Sequence, residues 1–177
     1  MPTNEAHSEE TPYGRYVTSE GWFVLNLAEA LAVRNEEKGG AMYPIEPREA
    51  PFGDFGVNVR VLWPGDPNAH YHSEGVQEGF LVLSGECTLV VEEEERTLRQ
   101  WDYFHCPANT SHVFVGAGDG PCVILMIGSR PDIGLRYPVS DFAAKYGASV
   151  AKETDNGDEA YADWPGEYAP IRLPWPA

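Results

Sequence analysis

The stretch Pro64–Glu86, PGDPNAHYHSEGVQEGFLVLSGE, decides how this chain is read. It sets His70 and His72 either side of Tyr71, then a loop with Gly75, then Glu78 at the head of an apolar run that ends at Leu83. Alternate residues of a strand face one way, so strand geometry here turns both imidazoles to one side. A second stretch, Gln100–Gly116, QWDYFHCPANTSHVFVG, supplies His112 after the turn Pro107–Thr110. Three imidazoles and one carboxylate suit a divalent transition metal (Fe, Mn, Zn, Ni, Co or Cu), and four protein ligands on an octahedral ion leave room for water or substrate. The expected metal ligands are His70, His72, Glu78 and His112. Glu74 rivals Glu78, because it lies two residues beyond His72 and shares its face if the strand continues. Imidazole must be neutral to bind a metal, so occupancy of such a site is expected to fall below a pH of about 6.5.

These two stretches resemble the paired motifs of the cupin superfamily. The first motif reads G-x5-H-x-H-x(3,4)-E-x6-G, and Gly65, His70, His72, Glu78 and Gly85 match it in order. The gap before His70 is one residue short and the gap from His72 to Glu78 slightly long. The second motif reads G-x5-P-x-G-x2-H-x3-N. Pro107 and His112 match, while Trp101, Asn109 and Gly116 stand at its other three positions. Asn tolerates the left-handed turn conformation better than most residues with a side chain. The resemblance covers roughly the middle third of the chain. It implies an all-β fold, a double-stranded β-helix (the cupin jelly roll), with the metal inside the barrel on strands of both motifs. It also implies N-terminal strands that lengthen the sheet or pair across a dimer.

Period-2 alternation extends the site. Glu78, Phe80 and Val82 share a strand face, as do His112 and Phe114, so Phe80, Val82 and Phe114 are expected to line the pocket. In Val57–Trp63, Val57, Val59, Val61 and Trp63 share one face, and Asn58, Arg60 and Leu62 the other. Arg60 either lines the pocket and meets an anionic substrate, or faces outward and pairs with a surface acid; an arginine inside a barrel is expensive without a partner. His105, a fourth histidine near the site, is either a further ligand or a support placed behind the ligands.

At 177 residues the chain fits one domain with extensions. Residues 1–15 are polar and read as a mobile or surface-draped arm. Residues 16–56 read as an N-terminal strand extension, with strands at Trp22–Leu27 and Ala41–Tyr43. The barrel core spans 57–130, where Glu92–Glu95 form a hairpin tip. Residues 131–177 form a C-terminal helix and packed tail. The helix is expected from about 140 to 153, capped by Ser140 and followed by a break at Asn156–Gly157. Beyond it Trp164, Tyr168 and Trp175 are too aromatic for a disordered tail.

The net charge of −16 argues against a nucleic-acid face, which needs clustered Lys and Arg, and against anionic membrane surfaces. No apolar run approaches the ~20 residues of a membrane span. Three cysteines without a CxxC pair point to a reducing compartment. The acidic N-terminus does not read as a signal peptide, so a cytoplasmic location is expected. The expected partners are a small-molecule ligand and a second copy in a homodimer, with Trp22–Leu27 in or near the interface. Three function classes fit: a metal enzyme of dioxygenase or isomerase/lyase type, a small-molecule-binding module, and a metal-braced structural protein. The sequence assigns no catalytic residue.

Overall fold

In a computed structural model, residues 4–130 and 134–174 are described. Runs of β-branched and aromatic residues, punctuated by Gly and Pro, give strands β1 Ser8–Thr11, β2 Gly14–Val17, β3 Ala32–Arg34, β4 Ala41–Pro44, β5 Phe55–Leu62, β6 Ser73–Glu74 and β7 Glu78–Ser84. They continue as β8 Glu86–Val91, β9 Glu94–Arg99, β10 Tyr103–Cys106, β11 His112–Ala117, β12 Cys122–Ser129 and β13 Leu135–Arg136. Two short helices, α1 Asp141–Ala144 and α2 Gly157–Ala160, precede the last strand, β14 Ala169–Ile171. No helix among the described residues is long and apolar enough to cross a membrane.

Two antiparallel sheets make the barrel. The larger runs β10-β7-β12-β5-β4-β3-β14, and the smaller β11-β8-β9. The alternation in β5 does what its pattern predicts. Leu62 turns inward and packs between the sheets with Phe80, Val82, Leu89, Phe114 and Ile124. Val59 and Val61 turn to the other face, against Ala41, Tyr43 and Val123, beneath Leu25, Leu27 and Leu173. Each such side chain taken fully out of water contributes about 1.5–3 kcal/mol, so the large sheet is anchored on both faces around β5.

The turns need positive φ where the motif glycines stand. Gly85 has φ +75, and a Cβ there would sit 2.4 Å from the Pro121 carbonyl oxygen. Trp101 and Asn109, at the glycine positions of the second motif, adopt φ +75 and +65. Both positions hold left-handed turns although neither residue is glycine.

Several expectations shift outside the barrel. Part of the N-terminal arm is the hairpin β1–β2. Trp22–Leu27 forms no strand; Trp22 only bridges Glu5, while Leu25 and Leu27 are spent on the face of the large sheet. The acidic tip narrows to Glu92 and Glu93, both left-handed, as a two-residue hairpin turn demands. The helix capped by Ser140, whose Oγ accepts from the Ala143 N–H, ends early because Gly147 turns left-handed and the Ala148 N–H closes onto the Ala143 carbonyl. Asn156–Gly157 starts a helix, since the Asn156 side chain accepts from the N–H groups of Asp158 and Glu159. The tail docks on its own barrel, with β14 paired to β3. Trp175 lies outside the described residues.

Candidate metal centre

The site is assembled by one backbone bridge. His72 donates its N–H to the His112 carbonyl and accepts from the His112 N–H, at 3.2 and 2.8 Å, which brings strands of both motifs together. The two rings then lie 5.1 Å apart. Each is oriented by a carbonyl. His72 Nδ1 is 2.7 Å from the His70 carbonyl oxygen, and His112 Nδ1 is 3.1 Å from that of Thr110. A carbonyl only accepts, so both Nδ1 atoms carry the proton and both Nε2 atoms keep a free lone pair. A backbone carbonyl on the far ring nitrogen is how metal-ligating histidines are commonly held.

Those lone pairs face carboxylates. Glu78 Oε2 is 3.7 Å from His112 Nε2, and Glu74 Oε1 is 3.9 Å from His72 Nε2. The Glu78–His112 contact is not an ion pair. Burial lowers the His112 imidazole to about 3, with His72 adding to the effect. Burial, helped by the Glu74 charge, raises Glu78 to about 8. Both groups are neutral between those values. Burial lowers His72 as well. Glu78 Oε2 is buried without a hydrogen-bond partner. A buried oxygen left in that state calls for a ligand.

Cys106 was not foreseen. Its ligand atom and those of Glu78 and His112 all lie within 4.8 Å of one another. Its sulfur, however, sits 3.5 Å from His112 Nδ1, the nitrogen already turned to Thr110. Burial pushes its thiol up to about 12 in the metal-free protein. Cys106 therefore braces the back of the ring.

His70 is placed elsewhere. Residues 68–71 bend instead of running as a strand, so the two-residue parity does not hold. The His70 ring packs 5.0 Å from Tyr161 and 4.6 Å from Trp164, and its Nδ1 is buried without a partner. His72, Glu78, His112, Phe80 and Arg60 line one cavity of about 550 Å³. Val82 and Phe114 lie in the core behind it, and His105 is exposed on β10. Asn58, Met126, Tyr137 and Tyr161 complete the wall. Asn58 shares the β5 face of Arg60, as parity expects. Nothing in the sequence pointed to Tyr161, which arrives from the far end of the chain.

The family profile described as Cupin domain matches residues 58–128. The chain superposes on the sugar phosphate isomerase from a cupin superfamily of Silicibacter pomeroyi with a TM-score of 0.55, at 23% identity over 64% of this chain and 79% of that one. It superposes on the polyketide cyclase RemF from Streptomyces resistomycificus, also with a TM-score of 0.55, at 14% identity over 64% and 83% of the two chains. At these identities the likeness speaks for the fold alone. No curated protein matches the chain.

Proposed function

Because this chain belongs to the cupin superfamily, we propose that it is a metal-dependent enzyme acting on a small organic metabolite. His72 Nε2, His112 Nε2 and Glu78 would hold a divalent transition ion. The observation that carries this reading is the pair of imidazoles fixed by backbone carbonyls, with the lone pair of His112 aimed at a buried carboxylate oxygen that has no other partner. Two imidazoles and one carboxylate are the donor set of mononuclear sites with open positions. An ion bound there supplies Lewis acidity toward a carbonyl or hydroxyl oxygen or, if redox-active, reactivity toward O2.

The chain's own residues do the rest. A cavity of about 550 Å³ admits a small metabolite. Phe80 and Met126 give it an apolar patch beside the donors. Burial raises the Tyr137 hydroxyl to about 12 and raises Tyr161 too, so both act as hydrogen-bond donors and not as bases near neutral pH. Glu78 keeps its proton until a cation displaces it. Two chemistries are open to such a site: isomerase or lyase action through Lewis acidity, and oxygen chemistry at a redox-active ion.

Elemental analysis of protein purified without a histidine tag tests the ligands. Wild type is expected to carry a stoichiometric transition ion, which His112→Ala and Glu78→Gln each lose and His70→Ala keeps. Full metal content in His112→Ala would sink the proposal. Loss in His70→Ala would return His70 to the ligand set.

A further inference from the structure

The wall of the cavity formed by β5 has a chemistry of its own. Asn58, Arg60 and Leu62 share the inner face of that strand, and Asn58 and Arg60 line the same cavity as His72, Glu78 and His112. The Arg60 guanidinium meets only neutral oxygens. Its Nη1 donates to the Tyr168 hydroxyl at 3.1 Å and to the Gly39 carbonyl at 3.4 Å. The Tyr168 ring centroid is 5.8 Å from its Cζ. Among the described residues no carboxylate lies within 4.0 Å of it, whereas Arg130, the other arginine lining this cavity, is paired with Glu46. In a chain of net charge −16 this is not for want of acids. A partly buried guanidinium in a cavity without a counter-charge offers charge-assisted donors to an incoming anion.

Asn58 adds a second unmet need. Its Oδ1 is buried with no hydrogen-bond partner, an uncommon state for a polar atom. Two residues apart on one strand face, Asn58 and Arg60 stand about 7 Å from each other along the chain. That spacing fits one small molecule carrying a hydroxyl and an anionic head. The other charges of the cavity do not fill this role, since Arg130 already neutralises Glu46 and the remaining acids, Glu74 and Glu78, sit beside the two imidazoles.

We infer that the substrate is a small hydroxylated anion whose carboxylate or phosphate is held by Arg60 while a hydroxyl meets Asn58. Resting on the metal-enzyme reading above, this makes Arg60 the residue that selects the substrate's charge, with the rest of the molecule directed toward His72, Glu78 and His112. Oxyanion chemistry is shared by the two head groups, and guanidinium suits both through paired N–H donors.

The test is calorimetric titration of the full chain, metal-loaded and metal-free, with glycolate, glycerol 3-phosphate and neutral glycerol. One of the two anions is expected to bind, which identifies the head group, and glycerol is not. Arg60→Met should weaken that anion at least tenfold with metal content unchanged, and Arg60→Lys should recover part of the loss. Arg60→Gln takes the place of Arg60→Met if the latter does not fold. Equal binding of glycerol, binding by the neutral variant as tight as wild type, or no binding of either anion overturns the inference. Arg60-dependent anion binding in a protein that takes up no metal would sink the metal reading and leave this one standing.

Discussion

The barrel interior and the C-terminal segment are both well packed, yet they are held by different means. In the barrel, β5, β7 and β12 pair continuously, and the side chains between the sheets form one apolar cluster. From Leu135 to Ile171 the chain has only β13, two short helices and β14, and it adheres through side chains: Tyr137 and Tyr161 around His72 and His70, Asn35 to the Pro165 carbonyl, Lys38 over Trp164. The barrel supplies the rigid donors. The segment supplies two tyrosines that line the cavity. A site on paired strands can thus be finished by a tail whose own backbone carries little regular structure.

The largest effect that tests this contrast is on stability. Phe114 is fully buried between the sheets, and Phe114→Ala should cost about 3–5 kcal/mol in urea unfolding. Tyr161 is only partly buried, so Tyr161→Ala should cost about 1–2 kcal/mol, within the ordinary range for single substitutions. Equal losses would mean that the tail is part of the barrel's cooperative core and the contrast false.

A middle-sized effect separates the two regions by titration. Glu78 is raised from 4.5 to about 8 in the folded protein, so its contribution to stability is full below about pH 4.5 and is lost as pH rises through about 8. His112 is lowered from 6.5 to about 3, so its contribution is present above about pH 6.5 and is lost as pH falls toward 3. Metal-free protein should therefore lose Tm between pH 6.5 and 8, a loss that Glu78→Gln removes and bound metal reverses. Tyr137, raised to about 12, adds nothing in that window. An alkaline loss in metal-free Glu78→Gln equal to that of wild type would refute the assignment. The structure also amends the pH expectation for the metal. His112, lowered to about 3, is already neutral near pH 6, and Glu78, raised to about 8, still holds a proton there that competes with the ion.

The smallest effect concerns a turn. Trp101 holds φ +75 with two thirds of its surface, 67%, in water. Trp101→Gly relieves the left-handed strain and should stabilise by no more than about 1 kcal/mol in thermal unfolding. Destabilisation would show that the indole contributes packing that its exposure hides.

Much of the barrel could be read from the chain because its determinants are local. The alternation of Val57–Trp63 assigned both faces of β5, and the spacing from Glu78 to Gly85 placed a carboxylate at the start of β7. Where one residue had to change its backbone, the reading failed. His70 and His72 looked equivalent by parity, but the bend at 68–71 gives them different neighbours. The Trp22–Leu27 run had the composition of a strand and met a sheet face instead of a free edge.

By itself, then, the sequence determined the all-β barrel, which residues of β5 share a face, and a cluster of imidazole and carboxylate, since periodicity and turn residues act within a few positions of themselves. Only the tertiary structure decided which imidazole nitrogens are free, because the carbonyls of His70 and Thr110 take those roles only in the folded backbone. It alone left Arg60 with no carboxylate within 4.0 Å among the described residues and carried Tyr161 to the cavity. Charge partners and cavity walls are set by contacts between distant segments, and no local pattern in the chain encodes them.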